Sequence, residues 1–280
     1  MIAPLQKDGD LLADIASTES HPDHFDLWWL GQSGFLIKWQ DHQLLFDPYL
    51  SDSLTTKYTA TDKPHVRMTG RVIDPRCLTG LTATTSSHNH TDHLDAETLG
   101  ALASATPGIP LVLPAANIDF ARKRLGPDTA ATYHPLSVGS PVDIPPFTFH
   151  AIPAAHNTIT TDEDGFNLYL GFVVEFGNFR VYHSGDTLWH SGLVEALTQF
   201  PKIDVAFLPI NGNEPGRKVA GNLNGTEAAA LARTINAKLV IPHHFEMFEF
   251  NTAAPEEFET ACTRLSQPFK TLRAGERLTV

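Results

Sequence analysis

Within the stretch SSHNHTDHLD (86–95), three histidines and an aspartate fall in the pattern His88-x-His90-x-Asp92-His93. Neutral imidazole nitrogens and carboxylate oxygens are the donors that zinc, manganese and iron accept. In an extended segment His88 and His90 point to the same side, because side chains alternate with period two. Asp92 and His93 come after the chain begins to turn, so they can diverge toward a second position a few ångströms away. One short loop can therefore feed two adjacent cations. A polar surface loop that is histidine-rich by accident is the plainer reading, and composition alone makes it a poor one: the chain has 14 His in 280 residues.

Four donors do not complete two sites, and the remaining ones must come from elsewhere. His156 ends FTFHAIPAAH (147–156), Asp186 lies in HSGDT just after FRVYHS, and His243 and His244 end KLVIPHH. In α/β folds, sites gather at the C-terminal edges of strands, so these positions can converge. Cys77 and Cys262 are the only cysteines, with no C-x-x-C pair, so a metal has to be held by His and carboxylate. No G-x-S-x-G motif is present, and HSGD (183–186) is not a nucleophile elbow, which favours metal-activated water over a serine nucleophile.

These donors need elements to position them. DLWWLG (26–31), GFLIKW (34–39) and HQLLFDPYL (42–50) read as short strands after a polar leader. Residues 51–80 show little periodicity and read as a long loop excursion, a feature that usually serves a site. LTATTSSH (81–88) is a β-rich approach to the histidines, and LDAETLGALASA (94–105) turns helical with Asp95 as N-cap. IPLVLP (109–114) reads as a strand and AANIDFARKRLG (115–126) as a helix. FTFHAIPAAH is a strand, and LYLGFVVEFGNFRVYHSGDT (168–187) a hairpin around Gly177-Asn178. A helix at 192–200, a buried strand at 204–210, a helix at 225–237 capped by Thr226, and a strand at 238–245 follow. A helix at 255–265 and a final strand at 269–280 complete the pattern. Strands precede mixed αβ units in both halves, which predicts two packed sheets with helices outside. Nothing resembles a linker, so 1–280 reads as a single domain.

Hydrophobic residues make up 42% and charged residues 19%, enough for a sizeable core, and no apolar run is long enough to span a bilayer. Acidic residues in the first 18 positions speak against a signal peptide, so a soluble, cytoplasmic protein is expected. A formal charge of −12 argues against electrostatic capture of nucleic acid, but not against a small anion beside bound cations.

In the order HNHTDH, His156, Gly185-Asp186 and the terminal histidine, together with WLGQSGFLI (29–37) and LLFDP (44–48), the chain resembles the metallo-β-lactamase superfamily of metallohydrolases from about residue 26 to 250. The resemblance implies an α/β fold, the four-layer αββα sandwich. It implies two divalent ions, zinc first with manganese or iron as alternatives. His88, His90 and His156 would hold one, Asp92, His93 and a late histidine the other, with Asp186 bridging. The segment IPHHF resembles a Pro-x-His-aromatic pattern that favours His244 as the ligand, with His243 as a donor or packing residue beside it. Asp92 is implied as a catalytic group that orients the nucleophile or passes its proton. Asp47 resembles a buried aspartate that supports the histidine loop.

The stretch 208–251 is similar to the branch containing L-ascorbate-6-phosphate lactonases. The cues are Leu208-Pro209-Ile210-Asn211-Gly212, the turn 221–224, and His244 followed by Phe245, Glu246, Met247, Phe248 and then Asn251. The implied activity is metal-dependent hydrolysis of a small anionic ester or lactone. Lys57, Lys63, Arg67, Arg71 and Arg76 exceed Asp52, Asp62 and Asp74 in the 51–76 segment, and Arg217-Lys218 sits in another loop; both could hold an anionic handle. His190, Asn211 and Arg217 are the candidate substrate contacts. His134 and His183 could also line the pocket, His150 is expected to be packed, and His21, His24, His42 and His65 solvated. Two other readings compete: a phosphodiesterase or nuclease of the same fold, which the acidic charge disfavours, and a non-catalytic metal- or metabolite-binding regulator, which would be expected to have lost a ligand. The expected partner is a small molecule, with no nucleic acid and no membrane; a homo-oligomer is left open.

Overall fold

Strand segments without alternation, such as LWWL at 27–30 and GFVVEF at 171–176, call for cover on both faces. The computed structural model, which describes every residue from Met1 to Val280 except Lys218, supplies that cover with two sheets stacked face to face. The first holds β1 (Asp26–Gly31), β2 (Gly34–Trp39), β3 (His42–Phe46), β4 (Ala83–Thr85), β5 (Pro110–Pro114) and β6 (Thr132–Leu136) in sequence order. The second runs β7 (Val142–Ile144), β8 (Phe147–Pro153), β9 (Leu170–Phe176), β10 (Phe179–His183), β11 (Val205–Pro209) and β12 (Leu239–His243). β13 (Arg277–Thr279) returns to pair antiparallel with β1. Within each sheet the strands nearest the site, β3–β4–β5 and β10–β11–β12, are parallel, so their C-terminal ends share one rim.

Aromatic side chains fill the space between the sheets. Phe35 of β2 meets Phe207 of β11 with ring centroids 4.2 Å apart, and Phe46 of β3 lies 6.5 Å from Phe172 of β9. All four are fully buried, each worth about 1.5–3 kcal/mol relative to exposure. Helices cover the outside: α1 (Asp8–Ser17), α2 (Ser53–Tyr58), α3 (Ala96–Ala105), α4 (Ile118–Leu125), α5 (Leu193–Thr198), α6 (Gly225–Thr234) and α7 (Glu256–Leu265). α5 packs on β8, and α6 on β11 and β12, with α7 laid on α6. The architecture is the αββα sandwich. Among the described residues no helix is long and apolar enough to cross a membrane.

Several expectations need correction. The polar leader contains α1, whose Leu11 and Ile15 recur at i and i+4 and are buried in the core. The 51–80 excursion is not structureless: it carries α2 and a 3-10 turn at Pro75–Cys77, where the Asp74 carboxylate accepts the Arg76 N–H. Asn224, not Thr226, caps α6, through a capping box in which its side chain accepts the Glu227 N–H and Glu227 accepts the Asn224 N–H. The final strand shrinks to 277–279, because a turn closed by Glu276 N–H to the Arg273 carbonyl, with Gly275 at φ 80°, interrupts the segment. β6 and β7 are short and partly exposed, with no apolar run to announce them.

Candidate metal centre

The histidine loop leaves β4 at Thr85 and is held from below by one carboxylate. Asp47, just past β3, is fully buried; it accepts from Thr85 Oγ1 at 2.7 Å and from the Ser87 N–H at 3.1 Å, and takes the His93 Nδ1–H at 2.7 Å. Ser87 Oγ lies 3.0 Å from His88 Nδ1. His156, three residues past β8, donates Nδ1–H to the Gly221 carbonyl at 2.9 Å. With one ring nitrogen engaged in each case, the other is aimed inward, the arrangement that fixes a ligating tautomer.

Asp186 follows β10 through Gly185, whose φ is 58°. A Cβ at Gly185 would lie 2.6 Å from Ser87 Cβ and 2.8 Å from the Leu170 carbonyl oxygen, so only glycine lets the aspartate come this close to the histidine loop. His244 follows β12 at φ 62°, its N–H bonded to the Gln32 carbonyl at 3.1 Å. The edge position of β12 tolerates Pro242 immediately before the histidine pair.

These elements bring seven side chains together. Asp186 Oδ1 lies 3.3 Å from His93 Nε2, while Oδ2 lies 3.3 Å from His244 Nε2 and 3.6 Å from His156 Nε2. His90 Nδ1 is 3.2 Å from His156 Nε2. Asp92 Oδ2 is 3.5 Å from His244 Nε2 and 3.6 Å from His93 Nε2. Three overlapping groups have donor atoms within 4.8 Å of one another: His88, His90 and His156; His88, His93 and Asp186; Asp92, His93 and His244.

A divalent cation fits this donor set on physical grounds. His88 Nε2, His93 Nε2 and Asp186 Oδ1 are buried with no hydrogen-bond partner, and the 3.3 Å separation of the latter two lacks hydrogen-bond geometry. Each such orphan costs about 1–3 kcal/mol, and native interiors seldom keep them. Burial pushes His88 well below the usual imidazole range, His90 to about 4 and His156 downward, leaving those rings in the neutral form that ligates. Burial also opposes the imidazolium at His93 and His244, but the Asp186 and Asp92 carboxylates outweigh it; His93 stands well above its ordinary value and His244 at about 9. Against the same desolvation, those imidazoles hold Asp92 and Asp186 well below the carboxylate range. The cluster thus calls for positive charge between its carboxylates.

Sequence reasoning missed Gln32 as a site residue. Its Nε2 donates to Asp92 Oδ2 at 2.8 Å and lies 3.0 Å from His244 Nε2. Gln32 sits at φ 50° in a tight Gly31-Gln32-Ser33-Gly34 turn; the flanking glycines mark the turn in the sequence, but nothing there marks its side chain as a site group. His243 packs behind the cluster, stacked on His183 with centroids 5.1 Å apart and its Nδ1 3.2 Å from Ser33 Oγ. His183 is fully buried there and away from the cleft.

Above the donors lies a cleft of about 350 Å³, with His90, Asp92, His156, Asp186 and His244 in its lining. Lys57, Lys63 and Arg124 line it as cationic groups, Tyr58, His65 and Phe248 as aromatic ones. His65, expected to be solvated, stacks on Tyr58 with centroids 4.5 Å apart. Of the five basic residues at 51–76, only the two lysines reach the cleft; Arg67 pairs with Asp52 and Arg76 with Asp74. His190 lies outside the lining, its ring nitrogens 2.9 Å from the Ser191 carbonyl and 3.0 Å from that of Pro153. Asn211 and Arg217 also stand back from the cleft, and both donate to Asn251 Oδ1, a residue that does line it. Lys218 lies outside the described residues.

Known proteins resemble this chain in sequence and in fold. A "UPF0173 metal-dependent hydrolase" of Desulforamulus reducens is 28% identical over 84% of this chain and 90% of its own. A "Probable L-ascorbate-6-phosphate lactonase UlaG" of Salmonella gallinarum is 25% identical over 92% of this chain and 80% of its own. The crystal structure of the metallo-β-lactamase fold protein YhfI from Bacillus subtilis superposes with a TM-score of 0.67 at 18% identity, covering 92% of this chain and all of that one. The family model described as "Beta-lactamase superfamily domain" matches residues 42–245, from β3 to just past the last clustered histidine. Fold, donor cluster and family model coincide on the same residues, and the chain belongs to the beta-lactamase superfamily.

Proposed function

We propose that the protein is a metal-dependent hydrolase of small anionic esters or lactones. The observation that carries the reading is the set of buried, unpartnered donor atoms on His88, His93 and Asp186, in a cluster whose other members His90, Asp92, His156 and His244 line a cleft together with Asp186, Lys57, Lys63 and Arg124. The N/O donor set suits zinc, manganese or iron. His88, His90 and His156 would hold one ion, Asp92, His93 and His244 the other, with Asp186 between them. Bound there, a pair of divalent cations supplies a water of lowered pKa and an electrophile for the attacked oxygen.

The chain's own residues do the rest. Asp92, fixed by the Gln32 amide and open to the cleft, takes up the proton released by the attacking water and returns it to the leaving oxygen. Lys57 and Lys63 offset the charge of an anionic substrate, and Tyr58, His65 and Phe248 cover its apolar part. The "lactonase" in the Salmonella relative's name denotes ring opening of a phosphorylated lactone, a substrate of this chemical class. The test is a screen of metal-loaded protein against lactones, carboxylate esters, thioesters and phosphodiesters, with metal content measured in parallel. Turnover of anionic lactones or esters supports the reading; turnover confined to phosphodiesters, or tight metabolite binding without turnover, overturns it.

A further inference from the structure

Asn211 and Arg217 do not touch the cleft, yet their hydrogen bonds decide what the cleft presents. Arg217 Nη1 donates to Asn251 Oδ1 at 2.8 Å, and Asn211 Nδ2 donates to the same oxygen at 3.0 Å. Asn211 Oδ1 in turn accepts from Asn222 Nδ2 at 3.0 Å. A carboxamide can ordinarily be turned over, exchanging its donor and acceptor ends. Here it cannot, because a guanidinium only donates: the atom of Asn251 facing Arg217 has to be the oxygen. That choice propagates along the chain of amides, fixing Asn211 with its nitrogen toward Asn251 and Asn222 with its nitrogen toward Asn211. Asn222 Oδ1, at the far end, is left buried without a partner, the consequence of a direction imposed from Arg217.

The near end has the opposite consequence. Asn251 lines the cleft, its oxygen is committed twice, and its Nδ2 has no partner among the described residues. Asn222 and Asn211 are buried, and Gly221 beside them accepts the His156 Nδ1–H through its carbonyl, so the same brace holds a donor of the metal cluster.

We propose that Asn251 is a substrate-orienting residue: its carbonyl is clamped by Arg217 and Asn211 so that its amide N–H groups donate to an oxygen of the bound ester or lactone. The inference rests on the hydrolase reading for its choice of assay. The substitution that tests it is Asn251→Asp, which keeps the twice-bonded acceptor and its shape but replaces the N–H donors with an oxygen. Asn251→Ala removes both. Asn251→Ala is expected to lower the melting temperature and raise KM at least tenfold. Asn251→Asp is expected to restore the melting temperature but not KM, with kcat within about threefold of wild type in both. The rise in KM should appear for a neutral lactone as well as a carboxylated one, since a lost hydrogen bond affects both and added negative charge only the second. If Asn251→Asp restores KM along with stability, or raises KM only for the charged lactone, the residue is merely a brace and the proposal falls. Should wild-type protein hydrolyse nothing in the panel, the hydrolase reading has failed by itself. Calorimetric binding of inorganic phosphate to the metal-loaded protein then decides: at least tenfold weakening in Asn251→Ala sustains the orienting role, and equal affinity overturns it.

Discussion

The histidine loop at 86–95 and the α2 segment at 52–67 meet where Lys57 Nζ reaches Thr91 Oγ1 at 3.3 Å, yet they are built in opposite ways. In the loop, Ser86, Ser87, His88 and His93 are all buried, and the side chain of Asp47 ties Thr85, Ser87 and His93 into one unit. In the α2 segment most residues are exposed or half-buried. It is hung on the stretch that follows His244: Glu249 N–H bonds the Val66 carbonyl, Met68 N–H the Met247 carbonyl, and Arg67 pairs with Asp52 at 2.7 Å over the Tyr49 ring. The donor set is over-determined by buried hydrogen bonds; the groups that would meet a substrate ride on a lightly held surface segment. Substrate preference can therefore change along 52–67 and 245–251 while the donor cluster stays as it is.

That contrast can be broken by substitution. The largest effect is expected from His88→Ala or Asp186→Ala, each lowering turnover on the order of 10³-fold and metal content by elemental analysis, with the far-ultraviolet circular dichroism unchanged. Next is Asp47→Asn, which keeps the shape but removes the charge facing His93; metal affinity by competition with a chelator should fall roughly 10- to 100-fold, although Asp47 is no ligand. Gly185→Ala should cost about 1–3 kcal/mol from the left-handed conformation, and more because the added Cβ also meets Ser87 and Leu170, read in denaturant unfolding. The smallest effect belongs to the other region. Lys57→Ala should raise KM for an anionic lactone roughly fivefold, with kcat unchanged and the difference shrinking in high salt. Arg76→Ala, on the same excursion but paired with Asp74 away from the cleft, should leave KM unaltered. An equal response to Lys57→Ala and Arg76→Ala would erase the distinction between cleft and surface.

What could be read from the sequence follows from the same contrast. His88, His90, Asp92 and His93 fall within six positions and are of a chemically restricted type, so their pattern stands out without knowledge of the fold. The strands that carry His156, Asp186 and His244 are apolar runs ending in a polar residue, again a local signal. Gln32 has no such signal, because its role exists only through contacts with Asp92, 60 positions away, and His244, 212 positions away. Charge and proximity in sequence point to His190 and Arg217 but do not report which way a side chain turns; His190 turns to backbone carbonyls and Arg217 to Asn251. Thr226 lost the cap to Asn224 because both are good capping residues, and only the geometry of Glu227 decides between them.

Pro242 carries a further consequence. On the outer side of β12, Val240 bonds residues 268 and 270 through its N–H and carbonyl, and the next outward-facing position is the proline, which has no N–H to offer. A neighbouring chain seeking to extend the sheet would find the row of donors interrupted just before His244 of the donor cluster emerges. Strand-to-strand self-association, the ordinary hazard of an open sheet margin, is discouraged at the very place where it would smother the entrance to the donor cluster.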